Sequence, residues 1–282
     1  MKKIYLVPNA NKDKELKITE AVAEKLRSCG AEITLPLEFS GKISDCTFTD
    51  EPNLDTELVI VIGGDGSFID ASHFAILLNA PILGINLGKL GYLSEVETDD
   101  LSALDSIFTG NYKIVEKMLL DCVCISEGHE IRSERLAVND VVVSHSSYLG
   151  IADFTVRSRD GCVGYRADGL VISTPAGSTA YSLSVGGPVV SHSAESLIVT
   201  PIAPHSFFNR SLIFGSRETI SVECTSDAEL NVSVDGRHFF TLSKGDICTV
   251  FSSCKRLKVL TFTNNNMLSV LFNKMRTVED II

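Results

Sequence analysis

The run Gly63-Gly64-Asp65-Gly66-Ser67 stands directly after a continuous apolar stretch and ahead of a segment with helical character. Glycines at such a point let a backbone approach phosphate oxygens closely, and a helix that follows offers unpaired N–H groups to an anion. A carboxylate is out of place in a plain phosphate cradle, because it repels the group it would hold. Asp65 therefore has two chemical uses there. It can hold a Mg²⁺ that bridges phosphates, or it can accept the proton of an attacking hydroxyl. The bland alternative is a strand-to-helix turn whose aspartate caps the helix. A Walker loop is excluded: the nearest candidate, Gly84-Ile85-Asn86-Leu87-Gly88-Lys89-Leu90, has the wrong glycine spacing and no Ser or Thr after its lysine. The pentapeptide does not match the G-x-G-x-x-G dinucleotide fingerprint either.

Other chemistry is less visible. Cysteines at 29, 46, 122, 124, 162, 224, 248 and 254 are scattered without a C-x-x-C pair, and the histidines do not cluster near them. No stable metal site is expected from that pattern; reduced, mostly buried thiols are. A formal net charge of −11 disfavours a general affinity for nucleic acid or anionic membrane, so an enzyme of polyanionic nucleotides must gather its cations locally. The apolar runs stop far short of the roughly 18 residues of a membrane span, and the short apolar run at Ile4–Val7 lacks the length and cleavage site of a signal peptide. A cytoplasmic protein is expected.

The elements that must position Asp65 follow from periodicity. Lys3–Val7 reads as a strand, and a helix from about Asp13 to Cys29 carries Ile18, Val22, Leu26 and Cys29 on one face, with Gly30 as its stop. Ile33–Leu35 and the apolar Glu57–Ile62 read as strands, Phe68–Leu78 as a helix, Ile82–Ile85 as a strand. Asp99–Phe108 reads as a helix capped by Thr98. This alternation predicts an α/β domain with a doubly wound, Rossmann-like sheet over residues 1–112. From residue 113 to 262 short strands and turns dominate, including Asp160-Gly161, Asp235-Gly236 and Lys244-Gly245, with one helical insertion near Ser178–Val185. A mainly-β, sandwich-like C-terminal domain is expected there. Residues 263–282, with a helix over Met267–Met275, are expected to pack back on the first domain.

Gly63–Ser67 resembles a signature shared by NAD kinases, diacylglycerol and sphingosine kinases and, more distantly, phosphofructokinases. Three further stretches resemble NAD kinases in particular. They are Gly84–Leu93, Asn139-Asp140-Val141-Val142, and the long run Asp168-Gly-Leu-Val-Ile-Ser-Thr-Pro-Ala-Gly-Ser-Thr-Ala-Tyr-Ser-Leu-Ser184, followed by Gly186-Gly187-Pro188. The resemblance continues through Thr200–Arg210 and covers about three quarters of the chain in the right order.

It implies phosphorylation of the 2′-hydroxyl of the adenosine ribose of NAD, with ATP or inorganic polyphosphate as donor, Mg²⁺ or another divalent metal accompanying ATP, and no tightly bound cofactor. It implies that Asp65 is the catalytic carboxylate and that Gly63, Gly64, Gly66 and Ser67 form the ATP phosphate loop. The implied NAD contacts are Asp65, Gly66, Asn139, Asp140, Arg166, Asp168, Thr179, Ala180, Tyr181 and Ser184. Tyr92 falls where an aromatic lines the adenine site, and Lys89 is a candidate phosphate partner. These roles suit the residues, since vicinal ribose hydroxyls want acceptors and a flat base suits small and aromatic side chains.

Ser67 departs from the usual threonine, Asp140 from the commoner glutamate, and Ala176 from Ser or Thr. Asp235-Gly236-Arg237 resembles a family segment near the NAD site and equally reads as a hairpin turn; His205 and Arg210 read as structural or functional alike. A homodimer or homotetramer is implied, with neither nucleic acid nor membrane as partner. The rival readings are a lipid kinase, which would lack the Asp168–Ser184 segment, and a nucleotide sensor, which would have no need of Asp65.

Overall fold

The computed structural model describes residues 2–88, 91, 93, 95–146, 150–225, 227–262 and 271. Lys89 and Tyr92 lie outside the described residues, as do the expected helix over 267–275, apart from Leu271, and the packing expected of 263–282. The chain forms two compact units, Met1–Glu116 with Leu257–Ile282, and Lys117–Arg256.

In the first unit the strands are β1 (Lys3–Pro8), β2 (Glu32–Pro36), β3 (Thr47–Thr49), β4 (Leu58–Gly63), β5 (Ile82–Asn86) and the short β6 (Val96–Glu97). The helices are α1 (Lys17–Ser28), α2 (Asp65–Leu78) and α3 (Asp105–Thr109). All strand pairings are parallel, in the order β5-β4-β1-β2-β3, and the returning chain adds Val259 parallel to Ile82. This is the doubly wound sheet. Every residue of β4 is buried, as a strand covered on both faces requires. The order reverses between β1 and β4, and ligands of such sheets gather outside the strand ends at that point.

Three helices differ from expectation. α1 starts at Lys17 and not Asp13, because the Asp13 carboxylate accepts the Thr19 N–H (2.8 Å) and the Thr19 hydroxyl (2.7 Å) and so holds the helix start from outside. α2 starts at Asp65, a turn before Phe68, after an extended Gly64 (φ −130, ψ −172). The expected Asp99–Phe108 helix is a 3₁₀ turn, Leu101–Leu104, followed by α3, and Gly110 ends it at φ 77.

The second unit is mainly antiparallel. Its strands are β7 (Lys113–Ser126), β8 (His129–Arg132), β9 (Asp140–His145), β10 (Ala152–Ser158), β11 (Gly161–Ala167), β12 (Gly169–Ser173), β13 (Ser196–Ile202), β14 (Leu212–Gly215), β15 (Thr219–Cys224), β16 (Leu230–Val234), β17 (Arg237–Leu242) and β18 (Ile247–Thr261). One sheet runs β14-β13-β12-β9-β16-β17; the other holds β11-β10-β15-β18, with β7 pairing β18 and β8. A shared core that includes Val141, Leu170, Val199 and Val232 from the first and Phe154, Ile220 and Val250 from the second makes a sandwich. The helical insertion is a 3₁₀ turn (Gly177–Thr179) and a short α4 (Tyr181–Ser184).

Candidate functional site

The chemistry-bearing residues fall into one group in each unit. In the first, the loops after β1, β4 and β5 leave the carboxyl ends of neighbouring parallel strands. Because α2 begins at Asp65, only Gly63 and Gly64 are loop; Asp65, Gly66 and Ser67 form the first helical turn. The backbone N–H groups of a first turn have no partner within the helix and point at whatever lies before it. A Cβ on Gly63 would lie 2.6 Å from Ser67 Cβ and Oγ, so this glycine is needed to let the turn close.

Asp65 is half-buried, and its Oδ1 accepts the Leu93 backbone N–H at 3.2 Å. Any side chain on Gly91 would overlap that carboxylate. The second glycine-rich segment thus places a glycine and an N–H donor against Asp65. These contacts hold the carboxylate at the first turn of α2, whose N-cap, Gly64, has no side chain of its own.

Two residues here were not singled out by sequence reasoning. Asn9 Nδ2 donates to Ser67 Oγ at 2.7 Å, and Asn9 Oδ1 accepts the N–H groups of Asn11 (3.1 Å) and Lys12 (3.2 Å). The loop after β1 is therefore tied to the first turn of α2. It carries Lys12, whose Nζ lies 2.6 Å from the point where a Cβ on Gly64 would be. Lys12 is exposed, so its ammonium stands over the glycine loop in a chain whose net charge is −11. The only sequence signal was the position of Asn9 and Lys12 just past the first strand.

In the second unit, Asp140 opens β9 and Asn139 stands just before it. The Asp235 carboxylate accepts three backbone N–H groups from this segment, those of Val138 (2.7 Å), Asn139 (2.8 Å) and Asp140 (3.1 Å). Asp235 (φ 48) and Gly236 (φ 76) are the turn between β16 and β17, as Asp-Gly predicted. The turn is thus also a clamp. Asp140 is buried, and that burial, with the neighbouring Asp235 charge, pushes its carboxyl up to about 7. Burial likewise pushes Asp235 up, against the three N–H bonds that pull it down.

Asn139 also accepts the Thr174 N–H at 2.8 Å through its carbonyl, and a Cβ on Gly177 would overlap that same carbonyl oxygen. The turn after β12 can lie flat on Asn139 only because residue 177 is glycine. It brings the following residues to the Asn139 end of the sheet: Thr179 is buried, with its hydroxyl on the Ala176 carbonyl at 3.1 Å, Ala180 is half-buried, and Tyr181 and Ser184 are exposed.

Arg166 and Asp168 do not join this group. Ser173 pairs with Asp140 and Gly169 with Ser144, so Asp168 stands at the far end of β12, where its carbonyl accepts the His145 N–H at 3.0 Å. About five strand residues, roughly 16 Å, separate it from Asp140. Arg166 is exposed at the end of β11 and its carbonyl accepts the His205 N–H at 2.7 Å. Among the described residues no helix is long and apolar enough to cross a membrane.

Two family models match the chain, one over each part. Residues 4–112 match the ATP-NAD kinase N-terminal domain and residues 138–262 the ATP-NAD kinase C-terminal domain. The NAD kinase of Lachnoclostridium phytofermentans is 35% identical over 97% of this chain and 99% of its own length. That of Acetivibrio thermocellus is 34% identical over 98% and 97%. The fold is shared with yeast NADH kinase complexed with NADH, at a TM-score of 0.84 and 22% identity, over 96% of this chain and 86% of that one. It is shared too with an NAD kinase from Archaeoglobus fulgidus in complex with ATP, at a TM-score of 0.74 and 23% identity, over 97% and 98%.

Proposed function

The chain belongs to the ATP-NAD kinase family, and from that premise we propose that it transfers the γ-phosphoryl group of ATP to the 2′-hydroxyl of the adenosine ribose of NAD, giving NADP. The observation that carries this reading is the setting of Asp65. It opens α2 at the reversal point of the parallel sheet, with its carboxylate accepting the Leu93 N–H. A carboxylate so placed serves a hydroxyl nucleophile and phosphates together.

The ATP phosphates lie against Gly63, Gly64, Gly66 and Ser67, whose N–H groups and helix start favour negative charge. Lys12 supplies the positive charge over Gly64, and Asn9 holds that loop to Ser67. The ribose 2′-oxygen forms its bond to the γ-phosphorus as the bond from that phosphorus to the β–γ bridging oxygen breaks; ADP leaves and the hydroxyl proton passes to Asp65. Positioning and charge stabilisation supply most of the rate enhancement.

One carboxylate with substrate phosphate oxygens is a donor set that Mg²⁺ commonly takes, so Asp65 fits a divalent metal arriving with ATP, which would neutralise phosphate charge there. Asp140 accepts ribose hydroxyls, and Asn139, Thr179, Ala180, Tyr181 and Ser184 line the base. Arg166 and Asp168 contact NAD from the other end of β12. The protein is a homodimer or homotetramer, since so many short strands leave edges to cover, and light scattering at micromolar concentration tests this.

Incubating the purified chain with NAD, ATP and Mg²⁺ and coupling to an NADP-specific dehydrogenase tests the activity. Steady NADP formation is expected. Phosphorylation of a lipid, or NAD binding without turnover, would overturn the reading.

A further inference from the structure

Cys122 and Cys124 stand two residues apart on β7, so both side chains leave the same face of that strand. Cys248 faces them from the neighbouring β18. The three Sγ atoms all lie within 4.8 Å of one another, and those of Cys122 and Cys248 are 3.6 Å apart. All three belong to the apolar core of the β unit, at most 1% exposed. No step of the phosphoryl transfer uses them.

We propose that Cys122, Cys124 and Cys248 form a binding site for a soft monovalent cation, copper(I), held by three sulfur atoms. Thiol sulfur selects soft metals over Mg²⁺ or Ca²⁺. Structural zinc takes four protein ligands in a tetrahedron, and among the described residues no fourth His, Cys, Asp or Glu joins the trio.

Charge decides in the same direction. An apolar core penalises net charge heavily. A monovalent ion reaches neutrality with one thiolate and two neutral thiols, whereas a divalent ion needs a second thiol ionised inside the core. Copper(I) thus enters with the loss of at most one proton to solvent. The ion would bridge β7 to β18 inside the core, and because the site is sealed, loading belongs to folding.

The test uses the full chain, unfolded and refolded without oxygen in copper(I) buffered by bicinchoninate, then desalted. About one copper per chain is expected to remain, with an X-ray absorption spectrum showing a shell of three sulfurs and no nitrogen or oxygen. Cys248→Ala should lose that copper, whereas the double variant Cys162→Ser/Cys254→Ser, altered at two exposed thiols, should keep it. Copper absent from the unaltered chain overturns the proposal, as does copper that persists in Cys248→Ala or leaves with Cys162 and Cys254. If Cys248→Ala fails to fold, the absorption spectrum of the unaltered chain decides: a nitrogen or oxygen shell refutes the site.

Discussion

Replacing Asp235 by alanine removes one carboxylate and strands three backbone donors, the N–H groups of Val138, Asn139 and Asp140 at 2.7, 2.8 and 3.1 Å. A hydrogen bond to a charged group contributes about 1.5–3 kcal/mol. Three bonds to one carboxylate do not add in full, because deleting it also relieves the cost of its burial. The net loss should be about 3–5 kcal/mol for Asp235→Ala. Asp235→Asn keeps one accepting oxygen but turns an amide N–H₂ toward a backbone N–H, at about 1–3 kcal/mol. The clamped segment carries Asn139 and Asp140, so even the milder variant should raise the KM for NAD by about tenfold or more through misplacement. The KM for ATP should hold, because the phosphate loop rests on Asn9, Ser67 and Leu93 in the other unit. Calorimetric unfolding and initial rates at varied NAD and ATP measure both effects. An Asp235→Ala protein that melts with the wild type and keeps its KM for NAD would refute the clamp.

Asp65→Asn should lower kcat by roughly 10²–10⁴-fold with little change in NAD affinity and stability within about 1 kcal/mol; substantial NADP formation by the folded variant would remove Asp65 from catalysis. Lys12→Ala should raise the KM for ATP by about tenfold, and Lys12→Arg should restore most of it; equal ATP kinetics in all three proteins would put Lys12 outside the phosphate site. Asp140, pushed up to about 7 by burial and by Asp235, is protonated below that pH and ionised above it. The ionised fraction rises about tenfold between pH 6 and 8, so calorimetric NAD affinity should tighten over that window, and Asp140→Asn should flatten the profile. Gly177→Ala should give little folded protein or lose NAD binding, since its Cβ would overlap the Asn139 carbonyl; a normal variant would show that the turn after β12 can shift.

Much was legible in the residues alone. A glycine-rich run after an apolar stretch marks the turn from β4 into α2 because only a few residue types permit that backbone, and alternating periodicities mark strands and helices because side-chain direction repeats locally. Asp65, the doubly wound first unit, the β-rich second unit and the Asp235-Gly236 turn all follow from neighbours in sequence. The start of α2 was misjudged for a related reason: Gly-Gly-Asp-Gly has loop propensity, and only the N–H contacts of its first turn and the packing on β4 overrule it. What tertiary structure decided is pairing across distance. Asn9 reaches Ser67, Lys12 overlies Gly64, the Asp235 carboxylate clamps residues 138–140, and Cys248 meets Cys122 across 126 residues of chain. Strand register, which no local pattern encodes when one β-strand can pair with many, also put Asp168 at the opposite end of β12 from Asp140.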